Sequence, residues 1–297
     1  MWLQQRQIQN QSDHTLLAYR RDVSQFLNFC QNKKLSLHNV EASDLREYLA
    51  KRVEHQHLNS SSLQRELTAI RQFMKWAQQS NYLAMNPAED LTFKRPSRPL
   101  PGMMDVEMLF QILDQPMPEK QQEQQLWIRD KAMLELLYSS GLRLAELQGL
   151  SIKDIDFNRQ LLRITGKGNK TRIVPFGSKA KESLIQWLQI YKIWKDLFEP
   201  NSPVFVSMKG GVLTPRQIEN RVKVQAQRAG IHVDVHPHLL RHCFASHMLS
   251  SSGDLRSIQE MLGHSNLSTT QIYTHLDFDH LAKVYDDAHP RAQKNQD

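Results

Sequence analysis

Four short stretches of this chain carry side chains that together could break a phosphodiester without a metal ion. Arg143 and Glu146 follow Gly141, and Lys167 lies between Gly166 and Gly168. His238 and Arg241 are three residues apart, and His264, after Gly263, precedes Tyr273. The transition state of such a cleavage is a pentacoordinate phosphorane with extra negative charge on its non-bridging oxygens. Guanidinium groups answer that charge well, because their donor forks match the oxygens and they stay protonated. A nucleophile must attack in line. A tyrosine hydroxyl, with a pKa of about 10, needs a base or nearby cations to support its phenolate. The departing 5′ oxygen needs a proton, which Lys or His can supply.

The elements that must position these groups are mostly helical. In the first part, Leu16, Tyr19, Val23, Phe26, Leu27 and Cys30 form one helical stripe over 12–32, with Ser12 as a cap. Leu45, Tyr48, Leu49 and Val53 repeat the pattern over 43–54. Leu63, Leu67, Ile70, Met74 and Ala77 repeat it over 60–78. Asn86 followed by Pro87 reads as a cap opening a short last helix. Arg20, Arg21, Arg65, Arg71 and Lys75 recur on the polar faces, where they are either a solvated surface or a set suited to phosphate contacts. Lys94, Arg95 and Arg98 then sit among Pro96, Pro99, Pro101 and Gly102, a run that cannot continue a helix.

In the second part, helices are expected over 105–113 and 125–140, the latter ended by Gly141, and from 143 to 150. Three short strands follow at 154–157, 161–165 and 171–174, the last two joined by a glycine-bearing turn that holds Lys167. Further helices are expected over 179–198, 215–229, 238–250, 254–262, 268–275 and 277–287. On this pattern His238 and Arg241 share a helical face. His236 precedes Pro237 and falls outside the helix. His242, about 100° around the helix from Arg241, is expected to be buried or to make a structural hydrogen bond.

Apolar residues make up 40% of the 297, and no apolar run approaches a bilayer-spanning length. The two cysteines, Cys30 and Cys243, fall among apolar neighbours in helical segments. They read as buried thiols in a reducing cytoplasm, not as a disulfide or zinc framework. The net charge of +7 suits a polyanionic partner. Residues 1–98 hold 14 Lys and Arg against 9 Asp and Glu, whereas 99–297 hold 24 against 22. The excess sits in the smaller part, so an anion site in the larger part must be local.

Each chemical group has an ordinary reading when taken alone. Arg143 would pair with Glu146 on the surface, Lys167 would be solvated at a turn, His238 would cap a helix or sit in a core, and Tyr273 would pack on an apolar face. As an ordered set they resemble the tyrosine recombinase (phage integrase) family, and within it the bacterial Xer branch. The segments Gly166–Lys170 and Leu262–His275 carry that likeness, which extends over nearly the whole chain. The resemblance implies a mainly α fold with a small antiparallel β-sheet, arranged as a two-domain C-shaped DNA clamp. Its parts would be a helical SAM-like core-binding domain over 1–93, a linker over 94–102, and a catalytic domain over 103–297 ending in a helix that docks on a neighbouring protomer. It implies that Arg143, Lys167, His238, Arg241 and His264 form the basic pocket, that Tyr273 is the nucleophile, and that the product is a 3′-phosphotyrosyl link. Arg143 and Arg241 would hold the phosphate with help from His264. Lys167 would be the general acid, and His238 would assist deprotonation of Tyr273. It further implies no cofactor and no metal. The partners would be double-stranded DNA at a dif-like site and a XerD-type recombinase in a heterotetramer, with control by the septal DNA translocase FtsK, all serving chromosome partition at cell division.

Two rival classes remain. His236, His238, His242 and His247 could form part of a zinc site in a metallohydrolase, although no Asp or Glu lies between 235 and 253 and no HExxH pattern is present. A DNA-binding protein that kept the fold without the chemistry is the other. EDTA resistance separates the first from the recombinase reading, and trapping of a covalent DNA adduct separates the second.

Overall fold

The computed structural model describes residues 1–8, 11, 13–56, 60–91, 104–166, 171–194, 199–263 and 284–291. Ser12, the proline-rich run 94–102, Lys167, His264, Tyr273 and the helix expected over 268–275 lie outside them. The chain divides into two compact units, Met1–Pro99 and Leu100–Asp297.

The first unit is built from α1 (Trp2–Ile8), α2 (Asp13–Asn32), α3 (Ala42–Gln56) and α4 (Ser60–Gln79). Three of these follow the apolar stripes of the sequence, and Phe26, Leu45, Tyr48, Ile70 and Met74 form the core. Leu27 and Val53, expected inward, are exposed instead. Helix α1 has almost no apolar face; it is anchored by Trp2, whose ring stacks on Tyr19 at 6.0 Å and meets Phe73 edge-on at 5.5 Å.

Buried carboxylates organise the polar interior. Glu66 accepts Arg52 Nε at 3.0 Å and the Tyr48 hydroxyl. Asp22 accepts both forks of Arg65, at 2.8 and 3.0 Å. Arg71 donates to the carbonyls of Ala88, at 3.0 Å, and Leu91. Arg65 and Arg71 are therefore committed inside the unit, while Arg20, Arg21 and Lys75 stay exposed. The helix expected after Asn86 does not form. Residues 87–90 make a turn in which Asn86 Oδ1 accepts from Ala88 N at 3.0 Å, and Arg71 takes carbonyls that a helix would have bonded along its axis.

The second unit is arranged around α6 (Gln121–Ser140), whose last turns are buried on all sides. Helices α8 (Ser178–Trp194) and α10 (Pro237–Ser252) pack on it, with α5 (Val106–Leu113) and α9 (Pro215–Arg228) at its flank. Tyr138, Trp187, Tyr191 and Phe244 fill the core between them. A three-stranded antiparallel sheet runs in the order β1 (Ile155–Asp156), β2 (Leu161–Thr165), β3 (Thr171–Pro175). The β2–β3 register places Ile164 opposite Arg172 and Thr165 opposite Thr171; residues 167–170, Lys167 among them, lie outside the described residues. Among the described residues the fold is mainly α with this small sheet, as expected. No described helix is long and apolar enough to cross a membrane. Cys30 and Cys243 are free and buried.

The end of the chain is part of this core. A short helix α12 (284–288) follows the undescribed segment 264–283. Tyr285 and His289 are almost fully buried, and Arg291 forks onto Asp114 at 3.0 and 2.9 Å and onto buried Glu135 at 2.6 Å. Residues 284–291 therefore belong to the core of their own unit.

Candidate active site

Two helix ends and one strand bring the basic groups together. Helix α6 stops at Gly141, which adopts φ +57; a Cβ there would lie 2.4 Å from the Phe244 ring. Glycine permits both the left-handed turn and this close approach. The chain then enters the short helix α7 (Leu144–Gln148) with Arg143 as N-cap. Glu146, at the third helical position, reaches back and accepts the Arg143 backbone N–H at 2.8 Å. On α10, His236 caps the start by accepting Leu239 N at 3.1 Å on its Nδ1, and Pro237 occupies the first helical position. His238 and Arg241 then fall one turn apart. Helix α11 (Leu255–Leu262) ends at Gly263 with φ +65, directly before His264.

The three guanidinium groups of the site meet at that helix end. Arg172 Nε donates to Met261 O at 2.8 Å, Arg241 Nη2 to Leu262 O at 2.7 Å, and Arg143 Nη2 to Gly263 O at 3.3 Å. Three successive carbonyls, which a helix leaves without internal partners and which carry the negative end of its dipole, are thus each met by an arginine. Arg241 Nη1 also bonds the carbonyl of Gly141. Glu146 knits the group: it accepts Arg143 Nη1 at 2.8 Å and both forks of Arg172, each at 2.8 Å.

Three arginines and one carboxylate leave this cluster with two net positive charges among the described residues, a balance suited to a doubly charged phosphorane. Burial would raise the Glu146 carboxyl, but Arg172 and Arg143 outweigh it and hold its pKa down at about 2. Burial, and then the neighbouring Arg143, push Arg241 down to about 10, which leaves it protonated at neutral pH. Arg143 keeps 40% of its side-chain surface exposed, so it can meet a ligand. Arg172 keeps only 9%.

Of the six residues singled out in the sequence, Arg143 and Arg241 converge on one helix end, and His238 is exposed on α10 one turn before Arg241. Lys167, His264 and Tyr273 lie outside the described residues. The ion pair between Arg143 and Glu146 that a bland reading expects is present, but it belongs to a larger cluster. Sequence reasoning misses Arg172 as a site residue. The signal for it is strand alternation: Arg172 shares an inward face with Val174, and an arginine on an apolar face implies a buried partner. Of the burial or structural hydrogen bond expected for His242, burial does not hold: the residue is exposed, because that face of α10 looks to solvent. Nor do the histidines of α10 gather as ligands. His236 caps the helix, His247 Nδ1 bonds the Tyr138 hydroxyl at 3.0 Å, and no three His, Cys, Asp or Glu side chains among the described residues cluster as a metal site.

Residues 104–280 match the phage integrase family, and residues 2–81 match its N-terminal SAM-like domain. The chain belongs to the phage integrase family. It is 46% identical to the tyrosine recombinase XerC of Pseudomonas syringae pv. tomato over 95% of this chain and 92% of that protein. It is also 46% identical to the tyrosine recombinase XerC of Chromobacterium violaceum over 97% of this chain and 92% of that protein. This integrase-family chain is therefore a site-specific tyrosine recombinase, most like XerC. Its fold is shared with the XerH recombinase bound to palindromic difH substrate in a post-cleavage complex (TM-score 0.69, 23% identity, covering 91% of this chain and 79% of that one). It is shared too with the Tn1549 transposon integrase in complex with transposon right end DNA (TM-score 0.68, 18% identity, covering 95% and 93%).

Proposed function

We propose that the arginine cluster holds a DNA phosphodiester for attack by Tyr273. Arg143 and Arg241 would ligate the non-bridging oxygens, and His264 would add a further donor. The Tyr273 hydroxyl oxygen would bond to phosphorus while the bond to the 5′ oxygen breaks. The tyrosine proton would pass to His238, and Lys167 would protonate the departing 5′ hydroxyl. The phosphotyrosyl bond formed replaces the ester bond broken, so a 5′ hydroxyl from a second duplex reverses the step without ATP. The observation that supports this most is the meeting of Arg143 and Arg241 at the carbonyls that immediately precede His264 and lead on to Tyr273.

The likeness to XerC proteins supports a finer reading. The chain would act with a XerD-type recombinase in a heterotetramer on double-stranded DNA at a dif-like site, under control of FtsK, to resolve chromosome dimers at cell division. The first unit, with linker 94–102 after residues 1–93, would grip the duplex by exposed cations such as Arg20, Arg21 and Lys75. The segment 277–283 and residues beyond 291 are where docking on a neighbouring protomer would lie, since 284–291 is committed to its own core.

A nicked dif-like duplex, from which the short cleaved strand diffuses away, tests the chemistry. Wild-type protein should form an SDS-resistant DNA adduct in EDTA, and Tyr273→Phe should form none. An adduct that needs divalent metal, or one that survives Tyr273→Phe, would overturn the assignment.

A further inference from the structure

The three nitrogens of Arg172 are all engaged inside the protein, and its side chain is only 9% exposed. It has no fork left for a phosphate. Yet it touches both halves of the site: the carboxylate that holds Arg143, and the helix end that leads to His264. We infer that Arg172 is a positioning residue for phosphodiester cleavage, one that fixes Glu146, and through it Arg143, against the last turn of α11. This rests on the reading of Arg143 as a phosphate ligand.

The geometry gives the reason. Glu146 Oε1 is shared by Arg143 Nη1 and Arg172 Nη1, and Oε2 by the Arg143 backbone N–H and Arg172 Nη2. Arg172 sets the plane of the carboxylate and occupies the second position of a fork. A carboxylate freed of Arg172 could turn to pair with both terminal nitrogens of Arg143, because that bidentate arrangement is the favoured one. Arg143 would then be drawn off the position it needs for phosphate. Arg172 Nε also closes the Met261 carbonyl, two residues before Gly263. A Cβ at Gly263 would lie 3.0 Å from the Arg172 side chain, so the chain passes directly over this guanidinium. A lysine keeps the charge but lacks the planar fork that reaches both Glu146 oxygens and the carbonyl together.

The charged groups facing Glu146 among the described residues are Arg143 at the start of its own helix, Arg172 from β3, and Arg241 from α10. Removing Arg172 leaves a buried carboxylate with fewer cations, so it takes a proton at a higher pH.

The test is single-turnover cleavage of the nicked duplex at saturating wild-type, Arg172→Met and Arg172→Lys protein. DNA affinity is measured alongside, and folding is checked by thermal melting. Arg172→Met is expected to cleave about 10 to 100 times more slowly, the scale of loss from a misplaced catalytic group, with DNA affinity within about threefold of wild type. Arg172→Lys, which keeps a cation beside Glu146 but lacks the planar fork, should recover only part of the rate. A folded Arg172→Met with a saturating rate within about twofold of wild type would overturn the inference. If Arg172→Met does not fold, Arg172→Lys against Glu146→Gln decides: both should slow cleavage with affinity kept, and a wild-type rate in both overturns it. Failure of the wild-type protein to form an adduct would instead overturn the recombinase chemistry itself.

Discussion

Replacing Glu146 by Gln should destabilise the second unit by about 3 kcal/mol at pH 7. The figure follows from the carboxyl's pKa, about 2 in the folded chain against an ordinary value of 4.5. That difference, about 2.5 at 1.36 kcal/mol for each pH unit, gives about 3 kcal/mol. Removing one partner of a buried ion pair independently costs about 3–5 kcal/mol, because the cation left behind keeps its desolvation penalty. Here that cation is Arg172, which would retain the Met261 carbonyl but lose its carboxylate. The sign of the pH dependence is set by the same values. The folded-state pKa lies below the unfolded one, so the contribution is complete above pH 4.5 and is lost as pH falls toward 2. The gap between wild type and Glu146→Gln should therefore shrink by roughly 1 kcal/mol between pH 7 and pH 4. Urea unfolding of both proteins at a series of pH values, followed by the fluorescence of buried Trp187, measures it. A gap below about 1 kcal/mol at pH 7, or one that stays constant down to pH 4, would refute the reasoning.

His289 offers a separate acid window. Burial pushes its pKa down to about 3, below the ordinary value of 6.5, so folding loses stability as pH falls from 6.5 toward 3. At pH 5 this amounts to about 2 kcal/mol, and calorimetric melts of wild type and His289→Asn should show the wild type alone carrying that dependence. For DNA binding, Arg20→Ala combined with Lys75→Ala should weaken affinity equally on specific and unrelated duplexes. The pair should also lower the salt slope by about 1 for each phosphate no longer neutralised, as measured by fluorescence anisotropy between low and moderate salt. Arg65→Ala should behave oppositely: it takes from buried Asp22 its bidentate partner, leaving the exposed Arg21 at 3.5 Å, and lowers the melting temperature of the first unit without a matching change in salt slope.

What can be read in advance follows the range of the forces involved. The β2–β3 hairpin is legible because alternation and a glycine turn are local signals, and α10 because Pro237 marks its first turn. The convergence of Arg143 and Arg241 is legible only as an ordered set of residue types, since they lie 98 positions apart. Helix α1 escapes sequence reading, because one tryptophan docking on Tyr19 and Phe73 stabilises it in place of an apolar stripe. The helix expected after Pro87 fails for a similar reason: Arg71, on α4, takes its carbonyls from outside. Arg65 reads as a surface cation because Asp22, its partner, is 43 residues away. Arg172 is hidden inside a strand pattern whose neighbours are apolar, and the core role of Tyr285, His289 and Arg291 depends on Asp114 and Glu135 far earlier in the chain.

The most direct measurement of the central claim is the identity of the atom that becomes joined to DNA. The adduct trapped on a nicked duplex without divalent metal can be digested with nuclease and protease and its peptides weighed. A nucleotide phosphate carried on the peptide containing Tyr273, attached through its phenol oxygen, is what a metal-free arginine-held tyrosine attack predicts. The same mass on a histidine, serine or lysine of another peptide would contradict it.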